Sequence, residues 1–204
     1  MRILLLSALT AAACGGESGD TPPPEASPAP QGVYGTAPAA VAGTPSIITL
    51  SHTTGAPAAL PPRENPVMDQ LGLAFSPGLL VVRVGETATF TNSETITHNV
   101  RLTFSDNDST LLDAETDPTG HVDFLFDREG GYEVTCDHHP GMRAFVYATS
   151  APYAEFAANN GAFRIRDVPP GSYSLSVWSV DPALRSEHTV DVTGPSTQVT
   201  LGPT

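Results

Sequence analysis

The stretch CDHHPGM at 136–142 holds Cys136, His138, His139 and Met142 within one short loop, and His98 stands on a separate segment upstream. A thiolate, two imidazoles and a weak thioether are the trigonal donor set, with an axial sulfur, of electron-transfer copper. Thiolate and thioether suit Cu(I), while imidazole accepts Cu(II). A site that suits both states reorganises little when one electron moves. The competing reading is a polar turn around a buried structural cysteine.

Those donors must be positioned by strands. Short alternating runs separated by Gly, Pro, Asn and Asp begin at residue 46, and no amphipathic helical period of useful length interrupts them. Strands are expected at 46–50, 79–84, 87–92, 98–104, 121–126, 132–136 and 142–149. Alternate side chains of a strand share a face. Tyr132, Val134 and Cys136 therefore point one way, into the core. His98 points inward with Val100, Leu102 and Phe104, and Met142 with Ala144, Val146 and Ala148. His139, three positions beyond Cys136, can return over the loop to the same metal. It is the expected second imidazole, with His138 exposed.

The whole is expected to be all-β: a Greek-key β-sandwich followed by a smaller sandwich-like β segment. In that later segment, residues 163–168 and 173–178 alternate, with Tyr173, Leu175 and Val177 on one face and serines on the other. Two more short strands lie near 190–192 and 199–201.

The N-terminus, MRILLLSALTAAACGG, reads as an export signal over 1–13, too short to anchor a bilayer. The small residues before Cys14 resemble a lipoprotein cleavage box, which makes Cys14 the expected lipid attachment site and places the protein in the cell envelope. Residues 14–45, rich in Pro, Ala and Gly, read as a disordered tether. With Cys14 lipidated, Cys136 is left without a disulfide partner, an unusual state for a thiol in an oxidising compartment. A bound metal would protect it.

Composition narrows the rest. The chain has 22 acidic residues against 9 basic ones, a formal net charge of −13. Every basic residue is arginine and none forms a stripe, so nucleic acid is not an expected partner. His52, His121 and His188 read as incidental surface histidines, Met68 as loop or core, and Trp178 as core. The acidic stretch at 106–117 reads as a solvated loop, since it lacks calcium-loop spacing. No nucleophile motif or phosphate loop is present, so no enzyme is expected.

Two segments, NSETITHNV at 92–100 and YEVTCDHHPGM at 132–142, resemble the cupredoxins, the blue copper proteins that include plastocyanin, amicyanin and azurin. The resemblance implies one copper ion with His98, Cys136 and His139 as ligands and Met142 as the axial ligand. It implies that Asn99 braces the site through hydrogen bonds. The Cys-x2-His-x2-Met spacing is similar to the short loop of amicyanin. Residues 65–92 resemble a subgroup of plastocyanin-like exported proteins. AFRIRDVPPGSYSLSVW at 162–178 resembles the transthyretin-like, carboxypeptidase-regulatory β-domain, a structural or interaction module. On this reading 46–149 is the cupredoxin domain and 150–204 the second segment. Residues 46–60 are open to a second assignment, as a strand of the later module with the cupredoxin inserted between. The implied function is single-electron transfer between redox protein partners; the alternative is a copper-storage, delivery or sensing protein, or a scaffold.

Overall fold

The computed structural model describes residues 32–54 and 65–202. In chain order the strands are β1 (Gly32–Thr36), β2 (Ile47–His52), β3 (Val67–Gln70), β4 (Phe75–Ser76), β5 (Leu79–Arg83), β6 (Thr87–Asn92), β7 (His98–Phe104) and β8 (Ser109–Thr116). They continue as β9 (His121–Leu125), β10 (Gly130–Thr135), β11 (Arg143–Thr149), β12 (Tyr153–Phe156), β13 (Ala162–Ile165), β14 (Gly171–Trp178), β15 (Ser186–Val192) and β16 (Ser196–Thr200). Among the described residues the helical content is one 3-10 turn, Pro182–Leu184.

Four sheets form two sandwiches. The first sheet has the order β4-β3-β6-β9 and the second β5-β11-β10-β7-β8. Between them lies the larger core, with Met68, Phe90, Val100, Leu102, Val134 and Val146 fully buried. The third sheet, β12-β2-β14-β15, and the fourth, β13-β1-β16, enclose a separate core around Val33, Ile48, Leu50, Ile165, Tyr173 and Leu175. Burial of each such side chain contributes about 1.5–3 kcal/mol against its exposed state.

The second and third sheets also meet. Alternation along β11 sends Ala144, Val146 and Ala148 into the larger core and Phe145 and Tyr147 the other way, where they join Ile47, Leu79 and Trp178. The backbone of β10 comes close enough here that only glycine fits: a Cβ on Gly131 would lie 2.6 Å from the Trp178 Nε1. β11 is buried on both faces, which explains why AFVYAT reads as a nearly continuous apolar run.

Three expectations from sequence need correction. Composition extends the tether to residue 45, but Gly32–Thr36 is a strand paired with β13 and, in parallel, with β16. Its two glycines let the neighbouring backbones approach; a Cβ on Gly32 would fall 2.0 Å from the Ile165 carbonyl oxygen and one on Gly35 1.8 Å from that of Val199. The domain start at residue 46, which the sequence left open between two assignments, moves as well. β2 pairs with β12 and β14, so the 46–50 run belongs to the second sandwich and the first sandwich is inserted into it. The later segment is therefore not 150–204 alone; residues 32–52 complete it. Lastly, the acidic stretch is not all loop. Residues 109–116 form β8, paired along β7, with acidic side chains at an exposed sheet edge that discourages further pairing. The expected signal segment, Cys14 and the tether as far as residue 31 lie outside the described residues.

Tyr147 reports on the contact between sandwiches. Burial, reinforced by the Glu129 carboxylate, pushes its phenol up to about 12. The fold therefore prefers the neutral phenol, while the unfolded chain ionises near the ordinary value of about 10. Stability should fall as pH rises from about 10 towards about 12. Denaturant titrations across this range should show that slope in the wild type and a shallower one in Tyr147→Phe; equal slopes would place the alkaline sensitivity elsewhere.

Candidate metal centre

β7 and β10 are antiparallel neighbours, with Arg101 opposite Thr135. That register brings the first residue of β7, His98, beside Cys136, which directly follows β10. Both point into the larger core: His98 is fully buried and Cys136 is 5 % exposed. The Cys136 Sγ lies 3.8 Å from the His98 Nδ1 and 3.7 Å from the His139 Nδ1. The donor atoms of all three residues fall within 4.8 Å of one another.

Those separations test whether a metal fits. A metal–sulfur bond of about 2.3 Å and metal–nitrogen bonds of about 2.0 Å, at trigonal angles, put sulfur and nitrogen about 3.7 Å apart. The observed spacings agree. The same Nδ1 atom of each ring faces the thiol, as one shared ion requires. The set is soft on one side and borderline on the other, which suits copper.

The loop that returns His139 is built by Pro140 and Gly141. The Met142 N–H donates to the His139 carbonyl oxygen at 3.1 Å, closing a β-turn. Pro140 fits the second turn position, and Gly141, at φ +106°, takes the third, where a side chain would be strained. The turn leaves Met142 at 3 % exposure in the same core as Cys136. His138 instead faces out, with its Nε2 3.4 Å from the Glu115 Oε1 on β8.

Asn99 joins the loop to the sheet. Its backbone N–H donates to the Cys136 Sγ at 3.5 Å. Its side-chain oxygen accepts from the Asp137 N–H at 2.6 Å, and its amide donates to the Asp113 Oδ1 at 2.9 Å. On the outer face of the sheet, the Arg101 guanidinium bridges Asp113 at 3.4 Å and Asp137 at 3.2 Å. The ligand-bearing loop is thus fixed by hydrogen bonds to β7 and by ionic contacts to β7 and β8.

The structure brings His98, Cys136 and His139 together, buries Met142 in the same core and bonds Asn99 to Cys136 and Asp137. His52 and His121 are exposed, and His188 shares a 3.0 Å hydrogen bond with Ser186. Sequence reasoning missed Asp113, Asp137 and Arg101. Their signal was available in the alternation of β7 and β8: Arg101 faces away from the core, and Asp113 is its direct cross-strand partner.

Residues 64–148 match the family model described as copper binding proteins, plastocyanin/azurin family. No curated protein matches the chain. Among solved structures, a purple cupredoxin from Nitrosopumilus maritimus is 22 % identical over 41 % of this chain and 99 % of its own, with a TM-score of 0.37. A methionine-to-alanine mutant of amicyanin with Cu(I) is 25 % identical over 50 % of this chain and 97 % of its own, with a TM-score of 0.38. A reduced tryptophan-to-tyrosine mutant of amicyanin is 26 % identical over the same shares, also at 0.38.

Two variants separate the roles of these residues. His139→Ala should abolish stoichiometric copper uptake in a calorimetric titration, while His138→Ala should leave it near wild type; the reverse pattern would move the ligand by one residue. Asn99→Ala removes partners from Asp113 and the Asp137 N–H and should cost about 1–3 kcal/mol in denaturant unfolding. No loss of stability would mean that the loop is held without it.

Proposed function

We propose that the cupredoxin domain at residues 64–148 carries single electrons between redox proteins of the cell envelope, using one copper ion held by His98, Cys136, His139 and, axially, Met142. The observation that carries this reading is the convergence of one thiol and two imidazole Nδ1 atoms just below the surface, with sulfur-to-nitrogen separations of 3.7 and 3.8 Å. Copper bound there supplies a one-electron couple between Cu(II) and Cu(I). The chain's own residues do the remainder. The buried sandwich keeps water from the thiolate, and the paired strands hold the donors in one arrangement for both redox states.

Electrons pass through His139. Its ring is half-buried while His98 has no surface, so His139 gives the shorter way out. Exposed Pro140 and Gly141 adjoin it, and Leu71, Leu73 and Ile96 present apolar surface at the His98 end of the sandwich. Such a patch suits brief docking of a redox partner. The net charge of −13 favours partners with basic rims. Export and a lipid on Cys14 would hold the domain at a membrane surface outside the cytoplasm. The second sandwich supports it as a structural module of the transthyretin-like, carboxypeptidase-regulatory kind. No catalytic role is proposed.

The test is a visible spectrum of the copper-loaded full chain during ascorbate reduction and reoxidation. An intense thiolate-to-copper band that bleaches and returns is expected. Copper bound without such a band, or lost on reduction, would instead support storage or delivery. For the anchor, Cys14→Ser should move the protein from the membrane to the soluble fraction, and continued membrane retention would contradict lipidation.

A further inference from the structure

His98 shows two different surroundings at its two ring nitrogens. Nδ1 faces the Cys136 thiol at 3.8 Å. Nε2 is buried and makes no hydrogen bond within the protein. Yet a carboxylate oxygen, Oε2 of Glu94, stands only 3.6 Å away, just outside hydrogen-bond length, on a side chain that is 16 % exposed. A metal on Nδ1 leaves the ring proton on Nε2. A buried N–H without an acceptor is costly, so a contraction of a few tenths of an ångström is favoured.

Glu94 is held from its other side. The Leu73 backbone N–H donates to the Glu94 Oε1 at 2.7 Å. Leu73 sits at φ +56°, a setting leucine rarely adopts, in the loop between β3 and β4. The Glu94 N–H donates to the Asn92 Oδ1 at 2.9 Å, and the Asn92 amide in turn donates to the Ile96 carbonyl at 2.9 Å and the Thr116 carbonyl at 2.8 Å. The turn leading into His98 is therefore wrapped around Asn92, with Glu94 aimed at the imidazole.

We propose that Glu94 is a positioning residue for the copper centre: its carboxylate accepts the His98 Nε2–H, fixes the tautomer and orientation of the ring, and lowers the reduction potential. The inference rests on copper binding at His98. A carboxylate behind a ligating imidazole makes that imidazole a stronger donor. Its negative charge is only partly screened in this pocket, and it stabilises Cu(II) more than Cu(I), which carries one positive charge fewer. Bound copper would take one electron from a reduced protein partner, and Glu94 would change the free energy of that transfer without moving a proton.

The test compares wild type and Glu94→Gln, both as copper-loaded full chains, by spectroelectrochemical titration and electron paramagnetic resonance. Gln keeps the shape and an oxygen for the Leu73 N–H but removes the charge. The expected result is an intact thiolate–copper band, a more positive potential and a ratio of Cu(I) to Cu(II) affinity raised by roughly ten-fold. A wild-type band with the same potential in Glu94→Gln would overturn the role of Glu94 alone. Absence of the band from wild type would overturn the copper reading and this inference with it. A variant-free check uses wild type loaded with redox-inert zinc. The His98 Nε2–H should resonate far downfield in proton–nitrogen spectra, as a hydrogen-bonded imidazole N–H does. A resonance at the position of an unbonded N–H would refute the contact even if Glu94→Gln failed to fold.

Discussion

A thiol and an imidazole face each other inside an apolar sandwich, and the arrangement around them follows from that burial. His98 has no exposed surface and Cys136 very little, yet their nitrogen and sulfur atoms stand too far apart for a strong hydrogen bond and well placed for a shared ion. Polar groups buried without partners are unfavourable. Copper across this gap would turn them into ligands and make metal binding part of the stability of the fold. The neighbouring polar contacts act on the same few atoms: the Asn99 N–H on sulfur, Glu94 behind the imidazole, and Arg101 between the two aspartates outside.

Much of this centre was legible because strands encode direction. The alternation of Tyr132, Val134 and Cys136, and of His98, Val100 and Leu102, is enough by itself to assign both donors to core faces. The choice of His139 over His138 came instead from loop spacing, three positions beyond Cys136, and the structure adds the turn that joins His139 to Met142. Glu94 was not legible. It lies in an irregular turn, and its contact with the Leu73 N–H joins loops that no local pattern relates.

The larger architecture was read less well, for a physical reason. Sheet partners are set by long-range pairing, and a strand such as Ile47–His52 looks the same whichever sandwich it joins. Its neighbours are β12 and β14, residues far along the chain, so the first sandwich is an insertion between two parts of the second. The same holds for β1, at the end of the stretch whose composition resembles tether; it is a strand on whose two glycines the neighbouring backbones close. Insertion has a mechanical consequence. Two chain crossings join the sandwiches, together with side-chain contacts that include Tyr147–Trp178, with the ring centroids 5.2 Å apart, and the Arg185–Asp106 ion pair. The second sandwich covers the outer face of the sheet whose far end carries Cys136.

The central claim is that one ion is shared by the Cys136 sulfur and the His98 and His139 nitrogens. X-ray absorption at the copper edge of the loaded full chain tests it most directly. The account predicts one short copper–sulfur distance and two copper–nitrogen distances with imidazole scattering in both oxidation states. A first shell of light atoms only, without sulfur, would contradict it and leave the convergence of these donors without a metal to explain it.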